Sequence, residues 1–369
     1  MGKIFKENTL FFLFLILLFF LLPFFHGDVG NFLSYIDFPT IRALICLLVI
    51  TTGLKVSGFF DYISQKYISK FKSERSLALF LMILSVFFSM FLTNDITLFI
   101  VVPLTLSIGK YFDKDLSKFI IFEAISVNIG SLLTPFGNPQ NIFLFRKWKI
   151  GTLYFVKLMF PIFLVSFILL MLFIFFSFPD KNFSYKGKQF QFKWDKPLFL
   201  ISLLFFVFFI FSMEFNFVRY LLVILILFYF LFYRRVLREF DYFLILTFVL
   251  MFIDFHLISS FSHVRKFIFS FNLNSSETVF NLSAIISQVI SNVPGAIFMT
   301  KFTSNYKMIL YGVNVAGTGL FIGSMANIIA LRIFEKEVKR GIKIYLNFHK
   351  YSIPYFLISY LLVYYILIR

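Results

Sequence analysis

The sequence predicts an all-α polytopic membrane protein made of two inverted-topology repeats, each with a re-entrant hairpin and a broken transmembrane helix. Three observations carry that prediction. Hydrophobic residues are 60% of the 369 and charged residues 14%, with a mean hydropathy of +0.90, far above what a water-exposed surface tolerates. Apolar stretches long enough to cross a bilayer recur along the whole chain, with Lys and Arg gathered between them. Two of those stretches align with each other without a gap at an offset of 186 residues.

Seven stretches read as ordinary spans: 10–25, 40–60, 151–178, 198–213, 217–233, 242–259 and 351–368. Lys3 and Lys6 before the first resemble a signal peptide, but Pro23-Phe24-Phe25-His26 offers no small-residue cleavage site. An uncleaved first helix is expected. Four further stretches, 76–109, 119–145, 282–300 and 308–334, are apolar but interrupted by polar residues, Gly or Pro. The expected organisation is 1–39 as first helix and outer loop, 40–178 as first repeat, 179–196 as cytoplasmic loop, 197–334 as second repeat, and 335–369 as cytoplasmic segment and last helix.

Basic segments belong on the cytoplasmic side. The N-terminus is then inside, and the loop 26–39, with two Asp and no Lys or Arg, is outside. Lys66, Lys70, Lys72 and Arg75 precede the 76–109 stretch and Lys110 to Lys118 follow it, all basic and all inside. A hairpin entering from the cytoplasm and turning at Thr93-Asn94-Asp95 satisfies both ends; a single tilted span is the alternative. Stretch 119–145 then crosses outward, the lysines 181, 186, 188, 193 and 196 lie inside with Arg234, Arg235 and Arg238, and the hairpin 282–300 enters from outside. Stretch 308–334 returns to Lys336, Lys339, Arg340 and Lys343. Counted this way, 22 Lys and Arg are inside, 8 outside and 5 within spans; Arg146-Lys147-Trp148-Lys149 on the outside fits least well.

At the offset of 186, Val127-Asn128, Gly137, Asn141-Ile142 and Arg146 fall on Val313-Asn314, Gly323, Asn327-Ile328 and Arg332. Ser89 and Asn94 fall on Ser287 and Asn292 at a different offset. One copy entered from each side is inverted duplication, the architecture that sets two discontinuous elements of each half at the bilayer midplane.

A helix broken within a membrane exposes N–H and C=O groups that lipid cannot satisfy, so it persists only inside protein or along a polar cavity. Thr134-Pro135-Phe136-Gly137-Asn138-Pro139-Gln140-Asn141 combines two prolines without donors, a conformationally free glycine and three amides. Carbonyl and amide oxygens suit sodium, and helix N-termini suit an anion. Thr93-Asn94-Asp95 adds a hydroxyl, an amide and a carboxylate, while Ser291-Asn292-Val293-Pro294 has no carboxylate. Asp95 is therefore the expected group for proton or cation coupling. Glu123, Asp254 and His256 read as solvated helix ends, and Lys55, Lys157 and Arg219 as snorkelling cations. Asp254, His256 and His263 lack a diagnostic metal spacing.

The net charge of +17 resides in these topology segments, which speaks against nucleic acid as a partner. The single Cys46 excludes an intramolecular disulfide and a CxxC pair. The 62 Phe read as lipid-facing bulk. No GxxxxGK[ST] loop, HExxH or GxSxG occurs, so neither ATP use nor hydrolysis is expected.

At Thr93-Asn94-Asp95 with Pro103, Gly137-Asn138-Pro139-Gln140-Asn141, Ser291-Asn292-Val293-Pro294 and Gly323-Ser324-Met325-Ala326-Asn327, the chain resembles the ion transporter superfamily. That superfamily includes arsenite/antimonite efflux pumps, sodium/proton antiporters and citrate and dicarboxylate carriers, and the resemblance spans about 40–334. It implies a scaffold plus transport fold in which the hairpin tips and unwound helices hold coupling ion and substrate. By position it nominates Thr93, Asn94, Asp95, Gly137 and Asn138 in one half and Ser291, Asn292, Gly323 and Ser324 in the other. Asn141 and Asn327 join them as break amides, with Pro135, Pro139 and Pro294 as helix breakers. The dicarboxylate carriers resemble Ser-Asn-Thr at both tips, so this chain lies nearer the arsenite-pump and antiporter branch.

The function expected is secondary active transport, not an enzyme activity: a small anion or metalloid oxyacid moved across the cytoplasmic membrane with protons or sodium. Sodium/proton antiport is the rival in the same class; a passive channel and a membrane-embedded enzyme are the others. No cofactor and no transition metal are expected, sodium being the one metal placed at the tips. Expected partners are the lipid bilayer, the small substrate and, as an oligomer, a homodimer.

Overall fold

The structure, a computed structural model, describes residues 8–25, 30–68, 73–109, 115–180, 193–338 and 341–369. Lys3, Lys6, His26, Lys70, Lys72, Lys110, Lys181, Lys186, Lys188, Lys339 and Arg340 of the topology argument lie outside the described residues.

Among the described residues the fold is helical without strands. Helix α1 (Thr9–Leu21) is followed by the single turn α2 (Phe32–Tyr35), the span α3 (Phe38–Val56) and α4 (Phe59–Ile68). The stretch 76–109 forms two helices, α5 (Glu74–Phe91) and α6 (Asn94–Gly109), and 119–145 forms α7 (Ser117–Ser131) and α8 (Pro139–Trp148). Helix α9 (Thr152–Ser177) follows, then α10 (Lys196–Glu214), α11 (Val218–Phe232), α12 (Arg234–Arg238), α13 (Tyr242–Ser260) and α14 (Ser262–Phe269). The second interrupted pair is α15 (Ser276–Ile290) with α16 (Asn292–Met299), and α17 (Tyr306–Ala316) with α18 (Met325–Val338). Helix α19 (Ile342–Val363) continues into a π turn, Tyr364–Ile368.

Local chemistry explains the helix starts. Asp37, Asp195 and Asp241 each accept the backbone N–H three residues on, at 2.9, 3.0 and 3.0 Å, and the first two are followed by a proline in the first turn. The carboxylate satisfies an orphan donor and favours the positive helix end, while proline has no N–H to lose there. Among the described residues six helices are long and apolar enough to cross a membrane: α3, α5, α9, α10, α13 and α19 with its π turn; α1, α6 and α11 are shorter apolar helices. The chain is a multi-pass membrane protein.

Packing pairs the two sets of broken helices in the same way. Helix α5 packs on α7 and α15 on α17; α6 packs on α18 and α16 on α8; α7 meets α18 and α17 meets α8. With lipid as solvent, close approach rather than apolar burial drives such contacts, and it requires small residues. A Cβ on Gly130 of α7 would lie 2.1 Å from both Ser89 Oγ and the Val86 carbonyl of α5. A Cβ on Gly312 of α17 would lie 2.6 Å from the Phe280 carbonyl of α15. Around this centre, α9, α10 and α11 turn Phe, Leu and Ile outward; Phe176 is 81% exposed. That is the surface lipid requires, although many phenylalanines, Phe122, Phe248 and Phe280 among them, are instead buried in the helical packing.

Two expectations fail. Glu123 and Asp254 are not solvated helix ends: both are fully buried, because α5, α6, α9, α18 and α19 enclose α7, and α1, α3 and α16 pack on α13. The last helix starts at Ile342 rather than 351, since a run containing Lys343, Asn347, His349 and Lys350 still forms helical turns whose Ile344 and Phe348 are buried. His256 stacks on the Tyr35 ring at 3.7 Å and its Nδ1 lies 2.9 Å from Lys301 Nζ, tying α13 to the loop after α16. Burial and the nearby Lys147 push the Lys301 ammonium below its ordinary range, with Asp37 opposing.

Candidate functional site

The four interruptions predicted from sequence meet at the centre of the helical packing. Leu92 and Thr93 separate α5 from α6, and Ser291 alone separates α15 from α16. Ser291 has φ of +75°, a region costly for a residue with a Cβ; its N–H still donates to the Ser287 carbonyl, and its carbonyl accepts from Gly295. Pro294 is the third residue of α16, where a backbone donor would be orphaned anyway. Pro139 is the first residue of α8, behind the N-cap Asn138, and Pro135 lies buried in the link from α7.

Asparagines hold the breaks together and cross between the halves. Asn128 Nδ2 of α7 donates to Asn327 Oδ1 of α18 at 2.8 Å, and Asn314 Nδ2 of α17 donates to Asn141 Oδ1 of α8 at 2.9 Å. Each donor also bonds the carbonyl four residues back, Ala124 or Leu310, at 2.9 Å. Asn141 Nδ2 serves the carbonyls of Ser131 and Thr134, and Asn327 Nδ2 serves those of Gly317 and Leu320. These bonds of Asn128 and Asn141 recur at Asn314 and Asn327, at the offset of 186 residues. The amides satisfy carbonyls that an unwound helix would leave bare, where leaving them unmet costs several kcal/mol in hydrocarbon (about 2–7 by transfer).

Asn138 caps α8 by accepting the Asn141 N–H at 2.9 Å, and its Nδ2 donates to Asn314 Oδ1 and to Ser131. Ser324 Oγ, its counterpart, accepts the Ala326 N–H at 3.3 Å. Of the residues nominated from sequence, Asn138, Asn141 and Asn327 therefore spend their amides inside the protein. Asn128 and Asn314, which no nomination included, carry the crossing; their signal was the repeat alignment itself. Replacing Asn128 by Ala should leave Asn327 Oδ1 without its donor and cost about 1–3 kcal/mol, read as a lower unfolding temperature in detergent.

Close backbone approach joins each tip to its break. The Asn94 N–H donates to the Gly137 carbonyl at 3.0 Å, and Thr134 Oγ1 to the Met90 carbonyl at 2.5 Å. A Cβ on Gly137 would lie 2.4 Å from the Ser131 carbonyl and 2.7 Å from that of Ser89, so only glycine fits. In the other half Gln288 makes the stitch, donating to the Ala316 carbonyl and accepting the Leu320 N–H, both at 2.7 Å, and a Cβ on Gly323 would fall 2.8 Å from the Ala316 carbonyl.

What remains free differs between the tips. Thr93 Oγ1, Asn94 Oδ1 and Asp95 Oδ1 are consecutive buried oxygens without a hydrogen-bond partner, as is Gln140 Oε1 on α8. At the other tip Asn292 Oδ1 already accepts the Val293 N–H at 2.9 Å, which fixes the amide's orientation and leaves Nδ2 as the unpartnered group. That Nδ2 faces the second break, 3.4 Å from where a Cβ on Gly317 would sit, with Asn128 Oδ1 at 3.0 Å from the same point. The first tip thus offers acceptors and the second a donor. Among the described residues no cluster of three His, Cys, Asp or Glu forms a metal site. A cavity of about 490 Å³, lined by Lys55, Phe99, Asp195, Arg235 and Glu239 among others, opens beside α6 one turn beyond Asp95.

The citrate transporter family matches residues 6–307, ending just before the second broken helix expected at 308–334. The chain is 36% identical over 334 residues to the inner membrane protein YbiR of Escherichia coli, covering 90% of this chain and 88% of that one. It is 34% identical over 309 residues to the uncharacterised transporter MJ0456 of Methanocaldococcus jannaschii, covering 83% and 84%. Over 121 residues it is 27% identical to the silicon efflux transporter LSI3 of rice, 33% of this chain and 25% of that one. The protein is a membrane transporter, not an enzyme, and it belongs to the citrate transporter family of the ion transporter superfamily.

Proposed function

We propose that the protein is a secondary active transporter that moves a small anion or metalloid oxyacid across the cytoplasmic membrane, N-terminus inside, coupled to protons or sodium. The observation that carries this reading is the chemical inequality of two tips joined by one asparagine network. Three free oxygens with a carboxylate among them, at Thr93, Asn94 and Asp95, suit sodium or a proton; the free amide donor of Asn292 suits a substrate oxygen. The name of the rice relative, a silicon efflux transporter, fits an oxyacid cargo.

On this reading 40–178 and 197–334 are the two repeats, inserted in opposite senses, and α5–α6 and α15–α16 are re-entrant hairpins. The matching helix pairs and the recurrence of the crossing asparagine bonds support the duplication. The cavity beside Lys55 would then lead from the cytoplasm toward the first tip. Sodium/proton antiport without an anion is favoured by one observation, the unpartnered Asp95 Oδ1.

Flux in proteoliposomes driven separately by sodium and proton gradients, against arsenite, citrate, succinate, sulfate and phosphate with a pH-sensitive dye, decides between them. Movement of one compound with a gradient supports the transporter reading and names the cargo. Proton movement on sodium addition alone replaces it with antiport. Because the halves share one site, Asn94→Ala and Asn292→Ala should each lower flux at least tenfold, equivalent to about 1.4 kcal/mol. Loss in only one of the two variants would contradict a shared site.

A further inference from the structure

We propose that Glu123 and Thr105 form a proton-exchange site, separate from the hairpin tips, on the seam between α6 and α7. The proposal rests on the transporter reading only for the role of the proton, not for the existence of the site. Glu123 lies in the first half of the broken helix and is fully buried. Its Oε1 accepts a hydrogen bond from the Thr105 hydroxyl of α6, and its Oε2 has no partner. An ionised carboxylate held by one hydrogen bond and no counter-charge is costly to bury. Burial without a counter-charge therefore favours the neutral acid.

Among the described residues no cation bonds Glu123. On the helices packed against α7, α5 carries Glu74 and Arg75, α6 carries Asp95, and α9 carries Lys157. Helix α18 carries Arg332, Glu335, Lys336 and Glu337, and α19 carries Lys343, His349 and Lys350. None of these bonds Glu123, whose one side-chain partner among the described residues is Thr105. Arg75 and Lys118, the cations at the starts of α5 and α7, instead donate to the carbonyls of Phe178 and Ser177.

The seam has direction. Helices α6 and α7 pack together, with Thr105–Glu123 at one end and the Asn94 N–H on the Gly137 carbonyl at the other. Thr97 Oγ1 on α6 and Ser126 Oγ on α7 are also buried and unpartnered. The feature is confined to one half: at the offset of 186, Glu123 faces Ile309 and Ser126 faces Gly312. The repeat does not need a carboxyl here in order to fold. Thr105 follows Pro103, which removes a backbone bond from α6, so the arm that donates to Glu123 is also the one able to bend away.

The test is infrared spectroscopy of the purified full-length protein in lipid, following the carbonyl stretch of protonated carboxyls with pH in the wild type and in Glu123→Gln and Thr105→Val. Wild type minus Glu123→Gln should contain one such band that vanishes as pH rises, and Thr105→Val should shift its frequency. In proteoliposomes Glu123→Gln should lower proton movement per transported anion at least twofold. An identical carboxyl spectrum in wild type and Glu123→Gln at every pH overturns the site. If Glu123→Gln does not fold, an unshifted band in Thr105→Val overturns it instead. A titrating band in a protein that moves none of the anion panel upholds the proton site while removing the transporter reading.

Discussion

Asp95→Asn is expected to reduce gradient-driven flux to background while leaving the protein folded. The substitution keeps the shape of the side chain, and Asp95 is 4% exposed in the first turn of α6, so the packing around the tip is preserved. What it removes is the carboxylate charge, the one ionisable group among the free oxygens of Thr93, Asn94 and Asp95. A carboxyl there can carry a proton or balance a bound cation; an amide can do neither. The second tip has no substitute, because Ser291 and Asn292 bring no acid. The measurement is flux at fixed gradient with the unfolding temperature recorded on the same preparation. Undiminished coupled flux in a folded variant would remove Asp95 from the mechanism; a fall in unfolding temperature with the flux would reassign it to packing.

The positions of the four interruptions were legible in the sequence because the residues that break helices are few and their physics is local. Asn138-Pro139 puts a capping side chain before a proline, and the structure starts α8 there; Thr93-Asn94 and Ser291-Asn292 also separate helices, though without a side-chain cap at Ser291. The alignment of Asn128 with Asn314 and of Asn141 with Asn327 was also visible. What pattern alone does not contain is that each donor bonds the acceptor of the opposite half, across about 170–200 residues of chain, since that depends on how the halves interlock. For the same reason Asn138, Asn141 and Asn327 read as ligands from their chemistry, whereas packing commits their amides to carbonyls.

Glu123 illustrates the limit most clearly. Counted from the start of its helix it sits about one turn in, where water is the natural partner of a carboxylate. Depth along one helix says nothing about the five neighbours that cover it, or about a threonine 18 residues earlier in the chain. Hydropathy failed for a related reason at α19, where Lys343, His349 and Lys350 hide helical turns whose other face is buried.

Gly130→Ala is expected to be among the most damaging single-methyl additions in the molecule, whereas Ala316→Gly, at the matching position of the other half, is expected to be mild. The Cβ of an alanine at 130 would meet the Val86 carbonyl at 2.1 Å and its carbon at 2.8 Å, both backbone atoms of α5 that no rotamer change can move aside. Helix α7 must then back away from α5, opening the contact that carries the first tip and stretching the bonds from Asn94 to Gly137 and from Thr134 to Met90. Overpacking of this kind costs about 1–3 kcal/mol where neighbours yield, and more where backbone is in the way. The second half keeps its close approach one turn earlier, at Gly312 against the Phe280 carbonyl, which is why it tolerates Ala316. Unfolding temperatures in detergent should therefore drop sharply for Gly130→Ala and only slightly for Ala316→Gly. Ser89→Ala should not rescue the former, since removing one hydroxyl leaves the clash with the Val86 backbone intact. Equal losses at 130 and 316, or rescue by Ser89→Ala, would mean that α5 and α7 approach less closely than described, and the geometry of the first tip would have to be redrawn with them.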